Sequence, residues 1–197
     1  MGTDHSEGWE AVADRFIEIR SDVGAELIRS WARSNLPPSG SILDIGCGSG
    51  IPIARALVDG GFIVFGIDAS ISLVAAFRRN LPNMAVACEP AQDSAFFDRR
   101  FAGAVAIGLI FLLDAGDQQR LLRKVAAALE SGGRFLFSAP LEVCEWQDTL
   151  TGRASRSLGL AKYAAQLENV GMVLVNCLTD KGGNNYYDAM KASKREQ

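Results

Sequence analysis

Ile42-Leu43-Asp44-Ile45-Gly46-Cys47-Gly48-Ser49-Gly50 decides how the rest of the chain is read. An apolar run carries an acid near its end, three glycines then alternate with small residues, and a helical pattern follows at once. Physically this is a buried strand that runs into a tight turn which no side chain obstructs, so that a ligand can lie against bare backbone. The spacing is GxGxG. A dinucleotide turn needs GxGxxG, and its third glycine would fall where Ile51 stands. Asp44 would lie close to a pyrophosphate, whereas a ligand that carries a cation and no phosphate suits it.

Outward from this stretch, short apolar runs alternate with helical patterns. Residues 41–46 read as the first strand and 51–59 as a helix that tolerates Pro52 in its first turn. A second strand, 62–68, ends in Asp68. Ser70 or Ser72 caps a helix over 73–80, and 84–88 is a short third strand. The fourth strand is 101–107; Asp114 or Asp117 caps a helix that reaches Leu129, Gly132-Gly133 end it, and 134–138 is the fifth strand. Strands alternating with helices imply parallel pairing through right-handed crossovers, hence an open doubly wound α/β sheet with its ligand beyond the carboxyl ends of the strands.

The flanks differ. Residues 8–36 show helical spacing (Trp9, Val12, Phe16, Ile19, then Val23, Leu27, Ile28, Trp31) with a break near Ser21-Asp22, and they precede the core. After the fifth strand, 146–155 reads as a loop and 157–170 as a helix. Residues 172–178 and 186–190 are strands joined by the Gly/Asn-rich turn 179–185, an antiparallel hairpin. The chain reads as one domain over 1–197: a helical lid (1–40), a donor-binding half (41–140) and an acceptor-side loop, helix and hairpin (141–197).

Composition narrows the classes. The 197 residues are 48% hydrophobic and 22% charged, which supports a proper core. The net charge of −3 and pairs no longer than Arg78-Arg79 and Arg99-Arg100 give no basic face, so no nucleic-acid partner is expected. Cys47, Cys88, Cys144 and Cys177 form no CxxC pair and read as reduced thiols, with no metal site. Without a signal-like start or an apolar run of membrane-spanning length, a soluble cytoplasmic protein is expected.

ILDIGCGSG resembles the first motif of the class I S-adenosylmethionine-dependent methyltransferases. The likeness extends through Asp68, through Glu89-Pro90-Ala91, where an Asp is more usual first, through the fourth strand, and through Ser131-Gly132-Gly133-Arg134-Phe135-Leu136-Phe137. It covers about 41–190 and implies the Rossmann-like methyltransferase fold, a seven-stranded, mostly parallel sheet with a reversed last strand, and S-adenosylmethionine as methyl donor. By that resemblance Gly46, Cys47, Gly48 and Gly50 form the turn that admits the methionine part of the donor. Asp44 lies near its ammonium, Asp68 holds the ribose with Ala69 or Ser70 beside it, and Glu89, Pro90 and Ala91 flank the adenine. Ile107 and Gly108 face the reacting centre. Arg20 is a candidate for the donor's carboxylate, against a reading as a surface arginine.

The acceptor is a small molecule in this reading, and the sequence mostly excludes classes. The segment after the fourth strand, Ile107-Gly108-Leu109-Ile110-Phe111, lacks the Asn/Asp-Pro-Pro-Tyr of amino-methylating DNA enzymes, and no prolyl-cysteine is present. A histidine base would have to be His5, the only one. Candidates for the acceptor are Arg153, to hold an anion, with Trp146, Phe111 and Tyr186; each is weighed against a packing or solvated role. The competing functions are a non-catalytic S-adenosylmethionine-binding module and an NAD-dependent oxidoreductase.

Overall fold

The computed structural model describes residues 5–192. Five parallel strands form its frame: β1 (Ser41–Ile45), β2 (Ile63–Asp68), β3 (Ala85–Cys88), β4 (Phe101–Ala106) and β5 (Leu129–Ser138). β8 (Met172–Thr179) and β9 (Asn185–Lys191) complete a seven-stranded sheet in the order β3-β2-β1-β4-β5-β9-β8, with β9 antiparallel to both neighbours. The order reverses between β1 and β4, and a crevice opens beyond their carboxyl ends.

Alternation along the strands builds two cores. Leu43, Ile45, Phe135 and Phe137 pack with Leu121, Leu122 and Val125 of α5 (Ala115–Ala128) and with Tyr163 and Leu167 of α6 (Leu160–Asn169). Ile42, Val64, Val105 and Leu136 face the other way. They pack with α2 (Ala25–Asn35), α3 (Ile53–Asp59) and Phe77 of α4 (Ile71–Asn80). Between Leu129 and Arg134 the fifth strand bulges, since Phe101 pairs with Leu129 and Gly103 already with Arg134. The Gly132-Gly133 pair, expected to end a helix, therefore lies inside β5.

Two further expectations are corrected. The helices before β1 do not all precede the core. α1 (Ala13–Ile19) buries only Ala13, but α2 sets Ile28, Trp31 and Ala32 into the core beside α3, because its apolar stripe fits the sheet face. The loop over 146–155 is the turn and the facing strand ends of an antiparallel ribbon of β6 (Val143–Gln147) and β7 (Ala154–Leu158). Its turn is closed by Asp148, whose Oδ1 accepts from Leu150 N–H (3.0 Å), Thr151 N–H (2.7 Å) and the Thr151 hydroxyl (2.8 Å). Ser157 belongs to this ribbon and not to the helix after it, which begins at Leu160 beyond Gly159. Ser70 is the cap of α4 and Asp114 that of α5.

The reversed strand is tied in by a buried ion pair. Arg134 Nε donates to Asp188 Oδ1 at 3.1 Å, and Arg134 Nη2 bonds Oδ2. Their side chains are 12% and 5% exposed, so either charge left alone would be stranded in the core. Asp188→Ala is expected to cost about 3–5 kcal/mol in urea unfolding. Replacing both residues with apolar ones of similar volume should recover most of that loss.

Candidate functional site

β1 carries Asp44 to the rim of the crevice on the Ile42 side, and the glycine turn follows. The N–H groups of Gly46 and Cys47 donate to Ile67 O at 2.9 and 3.0 Å, which folds the turn across the end of β2. Gly46 (φ 71°) and Gly48 (φ 55°) adopt backbone that other residues resist. The exposed faces of this turn are covered by side chains. A Cβ on Gly46 would meet Leu109 at 3.1 Å, and one on Gly48 would meet Phe16 at 3.2 Å. Gly50 serves packing instead. Its Cβ would press on Phe77 at 2.8 Å, so this glycine seats α4 and lines no part of the cavity described next.

A cavity of about 130 Å³ crosses the ends of the parallel strands. Gly46 and Gly48 line it after β1, Asp68 and Ala69 after β2, Pro90, Ala91 and Gln92 after β3, and Ile107 and Gly108 after β4. Asp68 is held rigidly, with Gly48 N–H donating to Oδ2 and Ser70 N–H to Oδ1, both at 2.9 Å. Burial pushes its carboxyl up, and the N–H groups of Ser70, Gly48 and Ala69 pull it back. Each oxygen keeps a lone pair for a ligand hydroxyl. Glu89 directs its side chain elsewhere, since its Oε1 accepts from the Ser94 hydroxyl at 2.6 Å. Lys124 of α5 donates to the carbonyls of Ala91 (3.3 Å) and Gln92 (2.8 Å) and so sets the turn beside the cavity.

Residues 5–20 roof this cavity through His5, Ser6, Glu7, Trp9, Phe16 and Arg20. Two carboxylates fasten the roof. Glu10 accepts from the Ser70 hydroxyl (2.5 Å), the Ser72 N–H (3.1 Å) and the Ser72 hydroxyl (2.6 Å) at the start of α4. These bonds hold its carboxyl below the usual range. Glu7 pairs with Arg153 of the ribbon turn at 2.9 Å. Sequence reasoning missed both glutamates, because no local pattern links residue 10 to residues 70 and 72.

Asp44 is the most perturbed group here. It is 2% exposed, and its Oδ2 finds no hydrogen-bond partner among the described residues. Burial and the Asp68 carboxylate raise its carboxyl to about 7, and Arg20 counteracts them. Arg20 ends α1 and lines three neighbouring spaces: the main cavity, a pouch of about 20 Å³ shared with Asp44, Cys47 and Gly48, and an outer recess of about 270 Å³. Its guanidinium lies 5.6 Å from the centre of the Phe16 ring and makes no hydrogen bond or ion pair among the described residues. The Cys47 thiol is buried, and burial drives it up.

The acceptor-side candidates separate. Phe111 lines the outer recess. Trp146 lines none of the three spaces; its ring lies 5.2 Å from that of Phe111 and supports it from behind. Tyr186 is buried, donates its hydroxyl to Asp180 Oδ2 at 2.6 Å beneath Gly24, and reaches none of the three spaces. Arg153 borders the main cavity and not the recess, with its guanidinium occupied by Glu7. Among the described residues no cluster of His, Cys, Asp and Glu could hold a metal ion, and no helix is long and apolar enough to cross a membrane.

Known proteins match this architecture. A glycopeptide N-methyltransferase, MtfA, complexed with S-adenosylhomocysteine superposes with a TM-score of 0.71 at 20% identity, covering 92% of this chain and 97% of that one. The 1,6-didemethyltoxoflavin-N1-methyltransferase of Burkholderia thailandensis gives 0.73 at 17% identity, covering 98% and 92%. A putative methyltransferase in complex with the Haloferax volcanii Trm112 activator gives 0.79 at 16% identity, covering 98% and 99%. At these identities the likeness is one of fold. No curated protein sequence matches the chain. Residues 42–133 match a family model described as a methyltransferase domain, and they span the glycine turn, Asp68 and β1 to β4. That stretch of the chain therefore resembles a methyltransferase domain.

Proposed function

We propose that the protein transfers a methyl group from S-adenosylmethionine to a small-molecule acceptor. The observation that carries the donor assignment is the pairing of two unsatisfied charges across one pouch. Among the described residues Asp44 presents a buried carboxylate oxygen without a hydrogen-bond partner, and Arg20 presents a guanidinium that makes no hydrogen bond or ion pair. An α-amino acid end, with its ammonium and carboxylate, satisfies both, whereas a pyrophosphate would meet Asp44 with like charge. Asp68 would take the ribose hydroxyls on its remaining lone pairs, and Pro90, Ala91 and Gln92 would flank the adenine.

S-adenosylmethionine, when bound, supplies a methyl group already activated by the positive charge on sulfur. The work left to this chain is to hold, orient and exclude water. Orientation of two reactants can contribute roughly 7–11 kcal/mol. The roof of Glu7, Trp9 and Phe16, fastened at Ser70, Ser72 and Arg153, would keep bulk water out. Gly108 lines both the main cavity and the recess, and a Cβ there would meet nothing within 4 Å, which leaves the passage between them open.

S-adenosylhomocysteine is expected to raise the melting temperature while NADH leaves it unchanged; the reverse ranking would contradict the donor assignment. Asp68→Ala should weaken S-adenosylhomocysteine binding by about 10–100-fold in calorimetry, the loss expected for charge-assisted hydrogen bonds.

Asp44 adds a pH signature. Its folded-state carboxyl titrates at about 7, above the ordinary value of 3.8. Between these values the ligand-free folded protein keeps a proton that the unfolded chain releases, so this contribution to stability is present at low pH and is lost as pH rises through about 7. Asp44→Asn should therefore gain stability relative to the native protein between pH 5 and 8 in thermal melts. Binding of S-adenosylhomocysteine to the native protein should tighten over the same range and release a proton, read by calorimetry in two buffers of different ionisation enthalpy.

A further inference from the structure

The outer recess lies beside the main cavity and shares Trp9, Phe16, Arg20, Gly108 and Leu112 with it. Its walls come from separate elements. The lid supplies Trp9 and Phe16, an edge-on ring pair at 5.3 Å, and the segment after β4 supplies Phe111, braced by Trp146 at 5.2 Å. At about 270 Å³ it is on the scale of a small molecule and not of a macromolecule.

The ionisable side chains lining the recess are Arg20 and Asp148. Asp148 Oδ1 accepts three hydrogen bonds that close its own turn, and its Oδ2 makes none among the described residues. On the donor reading above, Arg20 is matched by the donor's carboxylate. His5 lines the main cavity and not the recess, and Arg153 is paired with Glu7, so neither offers a spare cation to an acceptor here, and the carboxylate oxygen open to an acceptor's proton is Asp148 Oδ2.

We infer that the recess takes an aromatic acceptor that carries no negative charge, stacked among Trp9, Phe16 and Phe111. This rests on the donor reading of the main cavity. On that reading a lone pair of the acceptor forms the new bond to the methyl carbon while the C–S bond breaks, sulfur keeps the electron pair, and the sulfonium becomes a neutral thioether. The positive charge passes to the acceptor atom, which sheds a proton, where it carries one, to Asp148 Oδ2 or to water.

The test uses the full chain at pH 8 with three ring probes: 3-aminoquinoline (neutral, aromatic), quinoline-3-carboxylate (the same rings, anionic) and cyclohexanol (neutral, not aromatic). Calorimetry is run with and without S-adenosylhomocysteine. In its presence, 3-aminoquinoline should bind about tenfold or more tightly than either comparator, and Phe111→Ala should weaken it about tenfold. The same substitution should leave S-adenosylhomocysteine affinity within about twofold, which also shows that the variant is folded. Preference for the carboxylate, or an affinity for 3-aminoquinoline indifferent to Phe111→Ala while S-adenosylhomocysteine binds normally, overturns the inference. Failure of S-adenosylhomocysteine to bind overturns the donor assignment instead, and is read in its own titration.

Discussion

A buried carboxylate with one oxygen left unpaired among the described residues is the constraint on which the site depends. Asp44 stands at the end of the central strand, with Ile42 and Ile45 of the same strand fully buried. An acid so placed, one oxygen without a partner and a second carboxylate nearby, is costly in the free protein. That cost makes sense where a cation arrives to relieve it. The two neighbours that tune it come from opposite ends of the architecture: Asp68 from the end of β2 and Arg20 from the end of α1. The sheet holds Asp44 and Asp68 in register through the pairing of β1 with β2, whereas Arg20 is held only as well as the lid is held.

The lid is therefore part of the electrostatics as well as the cover. Its hold on the body runs through Glu10 at the start of α4 and Glu7 on the ribbon turn. Glu10 sits where unpaired helix N–H groups favour an anion, while Glu7 and Arg153 are both largely exposed, which makes theirs the weaker clasp. Phe16 presses on Gly48 from above, so the glycine turn that admits a ligand also admits the ring that roofs it.

The sheet and its ligand end were legible in the sequence because parallel strands buried on both faces read as uninterrupted apolar runs, and because the turn needs glycine at Gly46 and Gly48. The role of Gly50 was not legible: its neighbours Phe77 and Leu81 lie a helix and a strand away in sequence. The ribbon was hidden for another reason. Its inward residues include Ser155 and Ser157, and Ser157 satisfies its hydroxyl on Pro140 O at 2.7 Å, so no alternation of apolar and polar residues marks it. The stripe Ile28, Trp31 and Ala32 was visible as helical spacing, but spacing does not say whether a helix packs on the sheet or over the site. Tyr186 and Arg153 were chosen by residue type, and their partners Asp180 and Glu7 are fixed by tertiary contacts that a sequence does not display.

The claim that Asp44 and Arg20 await an amino acid end is tested most directly by removing that end from the ligand. Calorimetry should compare S-adenosylhomocysteine with 5′-methylthioadenosine, which keeps the adenine, the ribose and the sulfur but has neither ammonium nor carboxylate. The account predicts that 5′-methylthioadenosine binds about 100-fold or more weakly, as expected when two charge-assisted contacts are lost, and that its affinity does not depend on Arg20. Equal affinities for the two compounds would contradict it.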